Sequence, residues 1–140
     1  MAKQAEIARE TITTQLNSGE QLRAVGEYEH AGSFLTVLGS PILDQFLDPH
    51  KTFWVGVTNK RLILIPIVAF TKPMVKDCFS IPLTDIEFKS MFLIIKLPGN
   101  PKPIKLHPNF GFKYNTGFDE KEFTTALKSV LSDQKLDNLA

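Results

Sequence analysis

Two strongly apolar runs flank the dipeptide Asn59-Lys60 within the stretch 52–67. Both runs are rich in valine, isoleucine, phenylalanine and tryptophan, which suit a pleated and packed surface, so each run predicts a strand. Asparagine tolerates the positive φ of a tight hairpin, although Lys60 stands where glycine is usual and leaves the turn type open. Pairing Thr58 with Arg61 makes both faces of the hairpin apolar. The predicted cross-strand pairs are Trp54 with Ile65, Val55 with Leu64 and Val57 with Leu62.

Weaker patterns predict two elements before this hairpin. Small and apolar residues recur every three or four positions from Ala5 to Leu16. This spacing predicts a short N-terminal helix, which either packs on the edge of the sheet or remains partly mobile. The stretch 22–29 then alternates apolar and polar side chains, with Val25 as the one interruption. That alternation predicts a first strand with one buried face and one solvent-exposed face.

The second half of the chain predicts a meander of further strands. Alternation over 75–81 and over 86–92 indicates two strands, and the apolar run 92–97 indicates another. The stretch 102–107 follows a Pro-Gly-Asn-Pro turn signal and predicts a last short strand.

The clearest helix signal lies near the C-terminus. Asp119 and Glu122 have the spacing of a capping box, and Phe118 and Phe123 occupy the positions of a hydrophobic staple. Apolar residues continue along one face for about two further turns. This face must cover a core, so the helix is predicted to close an open end of the sheet. Residues 134–140 are predicted to be a flexible tail.

One connection is more apolar than a hairpin loop requires. The stretch 34–47 holds eight large apolar side chains, and an exposed patch of several hundred Å² usually signals interaction. We expect a contact surface between copies of the protein. The alternatives are a small helix folded over the protein's own barrel mouth and shallow insertion into a bilayer, which Asp44 and Asp48 disfavour. The candidate surface residues are Phe34, Leu35, Leu38, Ile42, Leu43, Phe46 and Leu47.

Size and composition fit one globular domain. At 140 residues with 43% hydrophobic content, the chain is long enough to bury a core of its own. The single cysteine, Cys78, excludes an internal disulfide and favours a reducing compartment. The charged stretch 1–16 is unlike a secretory signal, and the longest apolar run, 62–70, is far shorter than the roughly 20 residues of a membrane span. We therefore expect a cytoplasmic protein.

Charge is distributed unevenly, although the net charge is only +1. Residues 51–118 carry ten basic and three acidic side chains, whereas acidic groups are in excess before and after them. Such a block either forms an anion-attracting face or is scattered over outward strand positions. On one shared face, the lysines would attract anionic lipid by about 1 kcal/mol per basic group. The candidate anion-facing residues are Lys89, Lys96, Lys102, Lys105 and Lys113.

The sequence contains no recognisable arrangement for catalysis. His30, His50 and His107 lie on separate predicted elements and lack metal-site spacing, so we expect no metal and no cofactor. Cys78, on an alternating strand, is either a small packing residue or an exposed thiol. No nucleophile stands beside a base, and the near-neutral charge offers little attraction for nucleic acid. We therefore expect a protein that is not an enzyme.

The stretch 55–65, with its core VTNKRLIL, resembles the second and third strands of the bacterial pleckstrin-homology-like (PH-like) domains, which are similar to GRAM domains. The sequence IPLTDIEF at 81–88 resembles a later strand step of the same family, and 118–131 would be its C-terminal helix. The resemblance implies a mainly β (α+β) fold: a partly open barrel of seven antiparallel strands, capped by that helix. The implied organisation is an N-terminal helix at 1–19, a PH-like domain at 20–133 and a tail at 134–140.

Members of this family bind phosphoinositide headgroups, peptides or other proteins, and some resemble self-assembling modules. The phosphoinositide pattern requires basic residues in the first hairpin and its loop, where this chain offers only Arg23 and Lys51. The resemblance therefore implies a non-enzymatic interaction or scaffold module that binds protein, including itself as a homo-oligomer. Peripheral binding to anionic membrane lipid through a basic strand face is the alternative.

Overall fold

The computed structural model describes residues 3–30, 51–68, 72–96, 103–109 and 117–139. The elements are, in order, α1 (Gln4–Thr13), β1 (Leu22–His30), β2 (Lys51–Thr58), β3 (Arg61–Val68), β4 (Lys72–Pro73), β5 (Phe79–Pro82), β6 (Ile86–Lys89), β7 (Phe92–Ile95), β8 (Ile104–Pro108) and α2 (Glu120–Leu139). Short 3₁₀ turns at Val75–Asp77 and Leu83–Asp85 precede β5 and β6.

The strands form one antiparallel sheet in the spatial order β4-β3-β2-β1-β8-β7-β6, with β5 also paired to β3. Strands β1 and β8 join its two halves through the pairs Tyr28 with Pro108 and Glu29 with His107. In the described part of the chain β5 and β6 do not pair with each other, so the barrel stays open between them. This confirms the predicted partly open barrel, with eight strands when the two-residue β4 is counted.

The central hairpin has the register that the sequence predicts, with Trp54 opposite Ile65 and Val55 opposite Leu64. Its inward side chains belong to the inner core, and its outward side chains belong to a second cluster that we call the outer cluster. The buried members of the outer cluster are Ala5, Ala8, Ile12, Val25, Trp54, Ile63, Ile65, Ile67 and Phe118. Both faces of the hairpin are therefore covered.

Helix α1 covers the outer face of the sheet. Ala8 and Ile12 are fully buried against it, so the N-terminal helix is a packed element. Gly56 permits this close approach, because a Cβ atom there would lie 2.7 Å from Cγ2 of Ile12. The face of β1 that we predicted to be solvent-exposed is covered as well, since both Val25 and Glu27 are buried. The alternation in β1 was correct, but it could not show that a helix lies on the polar side.

Helix α2 closes one end of the barrel. Phe123, Leu127 and Val130 are buried in the inner core, and the Phe123 ring centroid lies 5.3 Å from that of Tyr28. The helix runs to Leu139, through the stretch for which we predicted a flexible tail. The limits of the domain itself stay a prediction.

The start of α2 is only partly as predicted. Asp119 caps the helix, because its Oδ1 accepts a hydrogen bond from the Glu122 N–H at 3.1 Å. The prediction of a hydrophobic staple is wrong, since Phe118 lies in the outer cluster and Phe123 lies in the inner core. Gly117, at φ +85°, lies against α1, and this contact directs Phe118 to the outer side of the sheet.

Two predicted strands are shorter than their alternation indicated. In the first, Val75–Asp77 forms a 3₁₀ turn, and the strand begins only at Phe79. In the second, Ser90 and Met91 have φ values of 52° and 71° and form a two-residue turn between β6 and β7. Positive φ at both central positions gives a turn whose twist matches that of the paired strands. Neither residue is glycine or asparagine, so the usual turn signal is absent at this position.

Candidate interaction surfaces

A buried ion pair fixes the turn of the central hairpin. Arg61 donates from Nε and Nη2 to the two carboxylate oxygens of Glu20, at 2.9 and 3.0 Å. The Glu20 side chain is only 2% exposed, and the guanidinium beside it lowers the pKa of Glu20 to about 2. Arg61 Nη2 also donates to the backbone carbonyl of Gln15 at 2.9 Å. Arg61 thus stabilises the fold by linking the hairpin turn to the segment that follows α1.

Thr58 and Asn59 extend this network. The Thr58 hydroxyl accepts a hydrogen bond from the Arg61 N–H at 3.0 Å and donates to Glu20 at 2.8 Å. Asn59 Oδ1 accepts from the N–H of Gln21 at 2.9 Å. The hairpin turn is therefore held by side-chain contacts to the segment before β1, and its polar groups are used within the protein.

A second buried carboxylate lies on β1. Glu27 is 7% exposed, and its Oε2 accepts a hydrogen bond from Asn109 Nδ2 at 3.1 Å. Burial raises the pKa of Glu27 to about 7; the nearby charge of Glu29 adds to the rise, and the indole N–H of Trp54 opposes it. This side chain therefore changes its charge near neutral pH.

The fold brings two histidines together that the sequence placed on separate elements. His30 ends β1, and His107 lies on β8 opposite Glu29. Burial lowers the pKa of His30, and His107 adds to this effect. Within the described ranges, no three His, Cys, Asp or Glu side chains are placed to hold a metal ion, and His50 lies outside those ranges.

Cys78 behaves as a packing residue. It is partly buried against the outer cluster, and burial raises the pKa of its thiol although Arg61 acts in the opposite direction. A raised pKa leaves less of the reactive thiolate at neutral pH. Of the two alternatives left open by the sequence, the structure favours packing.

Two of the candidate anion-facing lysines share the outer face of β6, β7 and β8. Because side chains alternate along strands, Lys89, Phe92 and Lys105 project from the face opposite the inner core. Lys105 Nζ lies 4.0 Å from the centroid of the Phe92 ring, a cation–π contact. Lys96 is instead paired with Glu87 at 2.6 Å. The other two candidates, Lys102 and Lys113, lie outside the described residues.

A groove of about 260 Å³ lies between β6 and α2. Its floor is apolar and is formed by Leu83, Ile86, Phe88 and Leu131. Its rim is polar and is formed by Thr84, Glu87, Gln134 and Lys135. Small-molecule sites usually enclose roughly 300 to 1,000 Å³, so this groove is of a size for one or two side chains of a partner.

One edge of β6 is unpaired along this groove, since β6 is the last strand in the order of the described sheet. The Lys96 N–H donates to the carbonyl of Asp85 at 2.8 Å. Hydrogen-bonded pairs alternate along an antiparallel ladder, so the backbone groups of Glu87 and Lys89 also bond toward β7. The N–H and C=O of Phe88 therefore point toward the open edge.

Three lysines surround the one carboxylate on the groove rim. Lys96 is hydrogen-bonded to Glu87, and Lys89 and Lys135 act on Glu87 through space. All three lower the pKa of Glu87, and none of the described groups that act on it is acidic. Positive charge is therefore in surplus around Glu87, with Lys135 on the groove rim and Lys89 and Lys96 outside its lining.

A wider groove of about 550 Å³ lies at the other end of α2. Its charges are balanced, with Arg23 and Lys121 facing Asp119 and Glu122. Asp119 is used as the helix cap, and Glu122 pairs with Arg9 at 3.4 Å. Both acidic side chains of this groove are therefore engaged within the protein.

No protein-family model and no curated protein matches the sequence. Two solved structures are similar in shape. The N-terminal PH domain of Vps36 is 18% identical, with a TM-score of 0.44 and 86% of each chain covered. A DUF1696 family protein with a pleckstrin-homology domain, from Shewanella loihica, is 19% identical, with a TM-score of 0.42; the match covers 93% of this chain and 96% of that one.

The described fold, an antiparallel barrel that is open between β5 and β6 and closed at one end by α2, has the architecture that the resemblance to PH-like domains implied. Both identities and both TM-scores are low, so the surfaces of this chain are interpreted from their own residues. None of its described helices is both long enough and apolar enough to cross a membrane.

The candidate residues named from sequence are only partly placed by the structure. The predicted contact stretch, Phe34 to Leu47, lies outside the described residues, and its role stays a prediction. The groove between β6 and α2 was missed, because its floor and rim come from segments about 50 residues apart in sequence. A signal was present in α2, where Leu131 and Lys135 are four positions apart and therefore share one helix face.

Proposed function

We propose that this PH-like chain is a non-enzymatic protein-interaction module. The observation that supports the proposal is the open edge of β6 beside the apolar floor of the groove. An unpaired strand edge is a template for pairing with another chain. In such pairing, main-chain hydrogen bonds give affinity, and pockets for alternate side chains give specificity. The groove along β6 offers both.

A displayed library of random peptides tests this function. Panning against the immobilised wild type should enrich peptides that lose binding to Thr84→Trp, because the exposed Thr84 lies on the groove rim and tryptophan would fill the groove. The matched control is Thr125→Trp, which places the same bulk in the groove at the other end of α2. Failure to enrich any peptide, or equal loss with both variants, would contradict the proposal.

Self-association is a further form of the same function. Its support is the apolar composition of residues 34–47, which is a property of the sequence. The expected cytoplasmic location likewise rests on sequence alone, through the single cysteine. Both stay predictions.

Peripheral binding to anionic lipid is a second candidate, favoured by the shared outer face of Lys89 and Lys105. Sedimentation with phosphatidylserine vesicles at low salt tests it. The lipid hypothesis expects binding that Lys105→Glu weakens and that Lys128→Glu, on an exposed position of α2, leaves unchanged. Absence of sedimentation would remove this candidate.

A further inference from the structure

We propose that the groove between β6 and α2 binds an extended, acidic segment of a partner protein, which adds to the sheet as a strand beside β6. This inference rests on the proposed function and specifies the chemistry of the partner. It is carried by three features: the backbone groups at the open edge of β6, the apolar floor of the groove, and two lysines, Lys135 on the groove rim and Lys89 on the outer side of the edge.

The backbone at the open edge fits a short extended segment. Phe88 presents both its N–H and its C=O, so one residue of an antiparallel partner can exchange two hydrogen bonds with it. Ile86 offers only its C=O, because its N–H donates to the carbonyl of Leu83. At the other end, the turn at Ser90 reverses the chain. The added strand would therefore be centred on Phe88.

The side chains around this edge specify what the segment should contain. Side chains of an added strand alternate between the two faces of the sheet. Those on the core side would enter the groove above Phe88 and Leu131, which are partly buried and apolar. Those on the outer side would lie beside Lys89, which is exposed. A segment in which apolar and charged residues alternate satisfies both faces.

The sign of the charge follows from the lysines. Lys96 is already paired with Glu87, and Lys89 and Lys135 also act on that carboxylate. Within the described residues, neither Lys89 nor Lys135 has a carboxylate at ion-pair distance. Lys135 lines the groove from α2, and Lys89 lies on β6, on the outer face of the sheet beside the open edge. Carboxylates of an incoming strand would complement them.

Fluorescence anisotropy with two labelled peptides tests the inference. The first is an acetylated peptide of alternating valine and aspartate, and the second has lysine in place of aspartate. Wild type should bind the acidic peptide and not the basic one. The variant Lys89→Glu with Lys135→Glu should bind the acidic peptide about tenfold more weakly, as expected for the loss of two partly screened ion pairs. The matched control is Lys121→Glu with Lys128→Glu, which makes the same charge change on exposed positions of α2.

The mode of binding has its own measurement. Hydrogen exchange of the Phe88 amide should slow when the acidic peptide is bound, because that N–H gains a main-chain acceptor. Peptide binding without protection of Phe88 would overturn strand addition. A similar loss of affinity in the control double variant would overturn the role of Lys89 and Lys135.

The remaining outcomes separate this inference from the proposed function. Equal binding of both peptides, abolished by Thr84→Trp, would overturn the acidic preference and leave the protein-interaction function standing. Binding of neither peptide would overturn the inference, and the library panning then decides the function independently.

A third probe is the peptide of residues 41–49, PILDQFLDP, from this chain. If it bound more tightly than the acidic peptide, the occupant would be a second copy, and the assignment to a separate partner would be overturned.

Discussion

Arg61 and Glu20, 41 positions apart in the sequence, form a two-point ion pair in which Nε and Nη2 donate to the two carboxylate oxygens at 2.9 and 3.0 Å. The pair accounts for a hairpin turn that lacks the usual glycine. Thr58 bonds both to the turn and to Glu20, so the ion pair, the turn and the segment after α1 form one connected unit.

Removal of Arg61 should destabilise the protein strongly. In Arg61→Ala the Glu20 carboxylate, 2% exposed, would be left buried without its partner, and such losses lower the free energy of unfolding by about 3–5 kcal/mol. Urea denaturation measures the change. The control is Arg9→Ala, whose pair with Glu122 is 46% and 53% exposed and should contribute less than about 1 kcal/mol. Equal effects of the two substitutions would contradict the assignment.

The contact between α1 and the sheet predicts a defined steric conflict. In Gly56→Ala the new Cβ would lie 2.7 Å from Cγ2 of Ile12, a β-branched side chain with little rotamer freedom. We expect the free energy of unfolding to fall by about 1–3 kcal/mol. A double-mutant cycle with Ile12→Ala checks the cause, because Ile12→Ala should remove much of the Gly56→Ala penalty. Purely additive effects would show that α1 does not pack on Gly56.

Glu27 should make stability depend on pH. Its pKa is raised by burial to about 7, above the ordinary value of 4.5, so its contribution is complete below pH 4.5 and is lost as the pH rises through 7. His30, whose pKa is lowered, acts in the opposite sense below its ordinary pKa of 6.5. The contribution of His30 to the pH dependence of stability is the same in wild type and in Glu27→Gln, so it cancels when the two proteins are compared.

Urea denaturation of both proteins at pH 5 and pH 8 gives this comparison. Between these two values, the stability of Glu27→Gln relative to wild type should rise by about 2–3 kcal/mol. Glutamine keeps an oxygen that can accept the hydrogen bond from Asn109, so the contact at 3.1 Å is retained. A relative stability that does not change with pH would contradict the buried, titrating Glu27.

The structural features that the sequence predicted correctly are those that depend on a local pattern of residues. The register of the hairpin followed from one turn and a period of two, and the C-terminal helix followed from its cap and its periodic apolar face. The shortened strands were missed because alternation over a few residues does not reveal a turn such as Ser90-Met91, which lacks glycine and asparagine.

Long-range burial could not be predicted from the sequence. Glu20 and Glu27 look like solvated residues on or near a strand, and only the fold places Arg61 beside the first and Asn109 beside the second. The groove is equally non-local, because β6 and α2 meet only in three dimensions. Composition identified an apolar stretch at 34–47, but composition carries no information about what covers it.

Self-association through that stretch is open to direct measurement. The substitutions Leu43→Asp and Phe46→Asp, made together, should convert a multimer of the wild type into folded monomers, because buried charge opposes an apolar contact. Light scattering behind size exclusion gives the mass of each. A monomeric wild type at high concentration would contradict the prediction, and a double variant that unfolds would favour a contact within one molecule.

The proposed binding surface for a partner is the groove between β6 and α2. Chemical-shift mapping of backbone amides, with an enriched peptide from the library titrated into the wild type, locates the bound peptide. We expect the largest shifts on residues 86–89 and 131–135, which form the strand edge and the facing helix. Shifts concentrated instead on the outer face around Lys105, or at the Arg23 end of α2, would contradict this proposal.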